Sequence, residues 1–309
     1  MSEILQIRKK ILETDEVIHQ LELNIANNPN DFDSIISLQS ISYLHEQLTE
    51  EFNNAAKLLN EKVLDYRLCT DNRIEVNSMT NIITHFQNLF SIIYDVVSNG
   101  KPKNKNTVNK QIKAETSFGF GYVYSGSLGI ALTIKDGDEL FDTNIDTAIK
   151  NTLNMININS EDKLKQFIND YGIGSYIALK NWVNSHIDSN IDAEIKWNKS
   201  TDKEFSKLID MSKLNEIHSI LEPKEPIITE SNINYDGELV GFDIEKNIFH
   251  IQVSDDESKN DIEGSVLLNN NIIPNLKQHY KFKLLQTTTI HLGKKPNIKY
   301  KLIEINNLD

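Results

Sequence analysis

The feature that most constrains this chain is a pair of apolar stripes mirrored about a turn. Ile4, Ile7, Ile11, Thr14, Ile18, Leu21 and Ile25 recur at alternating steps of three and four, the spacing that keeps one face of a helix apolar over several turns. Leu38, Ile41, His45, Leu48, Phe52, Ala55 and Leu59 repeat that spacing. Between them stands Asn27-Asn28-Pro29-Asn30-Asp31, where proline and asparagine stop a helix, and Asp31 or Asp33 can accept from the free amides of the second helix. Ile25 then faces Leu38, Leu21 faces Ile41, Ile18 faces His45, and Thr14 faces Leu48. Ile11 with Phe52, Ile7 with Ala55 and Ile4 with Leu59 complete the series. An antiparallel coiled-coil hairpin over residues 1–68 is expected, about 40 Å long at ~1.5 Å per residue.

Two helices bury little by themselves. The outer faces of this hairpin therefore need a further surface, either the rest of the chain or a second copy, and Ile35, Ile36, Tyr43, Leu44 and Leu58 lie off the seam to supply it. His45 is read as a polar residue that sets register, not as a metal ligand.

Residues 69–221 read as a mixed α+β middle domain. Tyr66–Asn77 reads as a strand or extended entry, and residues 79–97 form an apolar helix stopped at Asn99-Gly100. The lysine-rich stretch 101–113 reads as an exposed loop. Phe118, Phe120, Tyr122 and Tyr124 alternate, then Leu128, Ile130, Leu132 and Ile134, which is a β-hairpin pattern about Ser125-Gly126-Ser127. Helices follow over 144–156, 160–172 and 175–187, a strand over 191–197, and a helix from a Thr201 or Asp202 cap to about Leu221.

Pro223 and Pro226 mark a linker, and residues 222–309 read as a small five-stranded β-barrel of the OB or SH3-like kind, with strands at 238–244, 247–253, 261–268, 279–288 and 298–305.

Charge sharpens the division. The 309 residues carry a net −13, which opposes general nucleic-acid affinity. Residues 1–70 hold about −6, 115–221 about −6 and 230–263 about −8, whereas 99–114 hold five lysines and no acid, and 264–303 seven lysines and no acid. Lys277, Lys281, Lys283, Lys294, Lys295, Lys299 and Lys301 interleave with Tyr280, Phe282 and Tyr300, the ingredients of a single-strand binder. Alternation, however, turns Tyr280 and Phe282 away from Lys281 and Lys283, toward the core.

Motifs for chemistry are weak. A lone Cys69 excludes a disulfide framework and a thiolate cluster, and suits a reducing compartment. No histidine pair has the zinc-protease spacing. The acidic turn at Asp136-Gly137-Asp138 lacks glycine and a bidentate acid at the positions a calcium loop needs. GFGYVYSG places its glycines wrongly for a phosphate cradle, and Ser127 in SGSLG has serine where a nucleophile elbow needs glycine. No cofactor and no metal are called for, no apolar run is long enough for a membrane span, and the N-terminus lacks the layout of a signal peptide.

Phe86-Gln87-Asn88-Leu89, Gly126-Ser127 and the stretches ELVGFDIEKNIFHIQV, IEGSV and YKFKLLQTT give the chain its one likeness. It resembles uncharacterised bacterial proteins that join a helical hairpin, a Phe-Gln helix, a Gly-Ser strand and a terminal small barrel. That resemblance brings no known activity and no functional residue, and it points to mobile or antiviral-defence gene neighbourhoods. The expected function is a non-enzymatic cytoplasmic interaction or scaffold protein, with no membrane contact, that self-associates through its hairpin or meets a protein partner. The alternatives are a nucleic-acid accessory protein using the basic barrel strip, and an enzyme with a site dispersed along the chain.

Overall fold

The computed structural model describes residues 3–70, 73–124, 128–136, 143–198, 204–222, 226–243, 245–255, 258–267, 274–290 and 296–307. Two helices open the chain, α1 (Glu3–Asn27) and α2 (Phe32–Leu58). Asp31 caps α2 by accepting from the Ser34 amide, and its carboxylate also takes the Ser34 hydroxyl at 2.7 Å. Those two bonds hold the Asp31 carboxyl below the usual range.

A five-stranded antiparallel sheet follows. Its strands are β1 (Glu61–Cys69), β2 (Gly119–Tyr124), β3 (Leu128–Lys135), β4 (Asp192–Asn198) and β5 (Glu204–Ile209), in spatial order β2-β3-β1-β4-β5. The expected 116–135 hairpin is the β2–β3 pair, with a register shift between Phe120 and Tyr122. Gly121 sits at that shift, and a Cβ there would meet the Ala131 carbonyl and the Phe52 ring, each at 3.0 Å. The glycine thus serves close packing.

Helices α3 (Val76–Asn99), α4 (Lys110–Glu115), α5 (Asn144–Met155), α6 (Glu161–Tyr171), α7 (Ile173–Ser189) and α8 (Met211–Leu221) complete the α content. Two expectations change here. The lysine-rich stretch is not all loop: Asn109 accepts from the Ile112 amide and starts α4, which buries Ile112. Residues 204–209 form the edge strand β5 rather than the first turns of a helix, because α8 starts later, where Asp210 accepts from the Lys213 amide. The proposed caps at Thr201 and Asp202 lie outside the described residues.

The second sheet closes into a barrel, as expected, from β6 (Ile227–Asp243), β7 (Ile248–Asp255), β8 (Ser258–Val266), β9 (His279–Ile290) and β10 (Asn297–Asn307), in order β10-β8-β7-β6-β9. All pairs are antiparallel except β8 with β10. β6 is 17 residues long and pairs with β9 from Ile227 to Glu238 and with β7 from Gly237 to Asp243. Leu239, Phe249, Ile251, Phe282, Leu284 and Leu302 fill the interior.

The chain forms two compact units. One holds 1–101, 105–158 and 177–218, with the helical pair and the open sheet. The other holds 102–104, 159–176 and 219–309, with the barrel. No helix among the described residues is long and apolar enough to cross a membrane.

Candidate interaction surface and buried polar groups

The stripe residues divide into two sets along the hairpin. At its base, Ile7, Ile11, Leu48, Phe52 and Ala56 are buried together with Val63 of β1 and Tyr122 and Ala131 of the β2–β3 pair, with Ile4 and Ala55 packed alongside. The Phe52 and Tyr122 rings meet edge-on at 4.9 Å between centroids. Leu59 lies one residue past the last turn of α2 and is exposed, and Ala56, one turn after Phe52, takes the buried place instead. Helix α2 ends too soon to carry its stripe to Leu59.

Toward the tip the picture is different. Ile18, Leu21, Ile25, Leu38 and Ile41 are each only half-buried. Thr14 and His45 mark the change, with the Thr14 hydroxyl oxygen 3.1 Å from His45 Nδ1. Partial burial holds the His45 imidazole below its ordinary pKa. The surface around this tip is apolar and acidic at once. Of the 19 exposed large hydrophobic side chains among the described residues, ten lie between Leu5 and Leu59, so apolar exposure is concentrated on the hairpin. Residues 11–56 meanwhile carry nine carboxylates and no lysine or arginine.

The basic residues of the barrel are not gathered in this way. Lys281, Lys299 and Lys301 are exposed, and Lys277 sits exposed in a left-handed turn with φ 60°. Lys283 pairs with Glu304 at 2.9 Å. Lys294 and Lys295 lie outside the described residues. Tyr280 and Phe282 are in the core, as alternation requires, so neither of these rings shares the lysine face of β9 as a stacking platform would need. The adjoining strand β6 sets Asp236 opposite Lys281, and the outer face of β7 and β8 carries His250, Gln252, Asp261, Glu263 and Ser265.

Two polar groupings escaped the sequence reading. At the centre of the open sheet, Tyr66 of β1 is fully buried under α3 and α7, with Phe86 edge-on at 4.8 Å. Its hydroxyl oxygen accepts from Trp182 Nε1 at 2.9 Å and lies 2.8 Å from His186 Nε2, while His186 Nδ1 lies 2.7 Å from the Ile191 carbonyl oxygen. A carbonyl only accepts, so Nδ1 carries the imidazole proton and Nε2 accepts from the tyrosine. The chain Trp182, Tyr66, His186, Ile191 is thus fully satisfied in one direction. The second grouping sets the Lys62 ammonium between the buried carboxylates of Asp136 and Asp146, with the Thr143 hydroxyl donating to Asp136 at 2.7 Å. Both groupings join residues far apart in the chain, which is why no motif announced them. Among the described residues, no three His, Cys, Asp or Glu side chains gather as a metal site would require. Ser127 and the 137–142 turn lie outside the described residues.

Burial pushes the His186 imidazole down to about 4 from 6.5. An unfolded chain therefore takes up a proton at His186 as pH falls through 6.5, and the folded chain does not. The stability contributed by the neutral ring is complete above pH 6.5 and is lost progressively down to about pH 4. It amounts to on the order of 3 kcal/mol. Replacing His186 by glutamine should flatten the fall in urea midpoint between pH 7 and pH 4. An unchanged slope would mean that His186 is not the group responsible.

Comparison with protein-family models, curated proteins and solved structures gives no match to this chain.

Proposed function

We propose that this chain is a non-enzymatic interaction protein of the cytoplasm, and that it self-associates by packing the hairpin tip of one copy against that of another. The tip behaves as a short antiparallel coiled coil whose seam is finished on one side only. One observation carries the reading: Ile18, Leu21, Ile25, Leu38 and Ile41 are only half-buried on the hairpin, where more than half of the exposed large hydrophobics among the described residues also lie. A second hairpin would bury them as a four-helix arrangement does. A two-fold pairing also lets the same surface serve both partners.

Charge opposes that pairing, since each tip is acidic throughout, and this gives the reading its sharpest test. Light scattering of the full chain should find an assembly larger than the monomer at tens of micromolar. The assembly should tighten several-fold between about 0.05 and 0.5 M NaCl as screening removes the repulsion. Leu21→Ser with Ile41→Ser should weaken it while leaving the base of the hairpin anchored. A monomer at every salt concentration sinks the proposal. Association that loosens with salt would replace tip-on-tip pairing by an acidic tip meeting a basic surface.

The barrel supports a finer reading as well. One long strand shared by both halves, a three-strand meander and a single parallel closure support an OB-like reading of the closed barrel. The nucleic-acid alternative gains little from this. The face that such barrels use for oligonucleotides is here polar and acidic, and the lysines have their aromatic neighbours in the core.

A further inference from the structure

The interior of the barrel changes character along β9. Its inward residues run Tyr280, Phe282, Leu284, and then Gln286 and Thr288. A glutamine only 5% exposed inside a small barrel is costly unless all its hydrogen bonds are made. Here its partner is a carboxamide. Asn104 Nδ2 donates to Gln286 Oε1 at 2.8 Å, and Gln286 Nε2 donates back to Asn104 Oδ1 at 2.9 Å. Gln286 Nε2 also reaches the Thr288 hydroxyl at 3.1 Å. The hydroxyls of Tyr300 and Tyr235 stand 3.3 and 3.4 Å from Asn104 Nδ2. Gln286, Thr288, Tyr235 and Tyr300 thus form a cradle that satisfies both the carbonyl and the amino group of an amide.

Asn104 occupies the cradle from a short strap, residues 102–104, whose chain neighbours on both sides belong to the other compact unit. The strap is held by two backbone hydrogen bonds, Lys103 N to Tyr171 O at 3.0 Å and Gly174 N to Lys103 O at 2.7 Å. Gly172, at φ 84°, lets the Lys103 backbone lie against it, where any side chain would collide. Three residues of chain therefore deliver one carboxamide into this polar cradle.

We propose that this end of the barrel is a binding site for ligands bearing a primary carboxamide, and that Asn104 fills it as an internal surrogate. The inference is independent of the hairpin reading, since it rests on the barrel unit alone. Ligand and strap compete, so the site opens when residues 102–104 withdraw.

The test empties the pocket and offers it acetamide, in the full chain. Asn104→Ala should lower the melting temperature and gain a saturable rise of about 3 °C with millimolar acetamide. Acetate, which has no amino donor, should give no rise. Neither should acetamide with the wild type, whose pocket is taken, nor with Asn104→Ala carrying Gln286→Leu. Asn104→Ser provides a second empty pocket. If either variant does not fold alone, acetamide present during refolding should restore its folded yield. Variants that fold yet ignore acetamide, a refolding yield unmoved by it, or an equal response in the wild type would each overturn the proposal.

Discussion

Phe52→Ala should cost about 3–5 kcal/mol, the usual toll for deleting a buried phenylalanine. Phe52 is 2% exposed and lies where the hairpin base meets the open sheet, against Tyr122 and over Gly121. Gly121 leaves room for a ring and for nothing smaller to make the same contact, so alanine leaves a cavity that sheet backbone cannot close. Urea unfolding with hydrogen exchange checks this. Amides of α1, α2 and β2 should lose protection first, and those of the barrel strands should keep theirs. Uniform loss across both units would show that the Phe52 contact does not act locally.

Gly264→Ala should open the barrel, at a cost of about 3 kcal/mol, the upper end for overpacking. Gly264 lies on β8 beside the parallel pairing with β10, which runs over Ser265 with Lys301 and Val266 with Leu302. A methyl group there would overlap the Tyr300 carbonyl oxygen and the Phe249 ring. The ring can turn aside, but the carbonyl belongs to the strand that closes the barrel. Adding Phe249→Leu should therefore fail to restore the melting temperature of the barrel. Restoration would mean that the ring alone was the obstacle.

What could be read from the sequence followed from periodicity. The mirrored stripes announce the helical pair because Ile and Leu recur with little interruption, and β9 announces itself because Tyr280, Phe282 and Leu284 alternate with lysines. The first half of β6 gave no such signal. Its inward residues are Thr229, Ser231, Ile233 and Tyr235, and its outward ones include Ile228, so hydropathy does not alternate and the expected strand begins only at residue 238. The cause is the polar end of the barrel itself, where Gln286 and Thr288 also face inward. Strands that line a polar interior are hidden from a pattern built on apolar interiors. The Trp182, Tyr66 and His186 chain was hidden for another reason, as Tyr66 lies more than a hundred residues from the other two and meets them only through tertiary packing.

The division of the chain into its two units has a consequence for synthesis. The polypeptide changes unit after residues 101, 104, 158, 176 and 218. All parts of the unit with the open sheet have left the ribosome once residue 218 has emerged, whereas the barrel closes only after β10 has been made. Residues 102–104 and 159–176 must therefore wait, already made, for strands not yet translated. Asn104 spends that interval with its carboxamide in water, and a ribosome stalled before β9 would present a chain half of whose architecture is finished and whose strap has no pocket to enter.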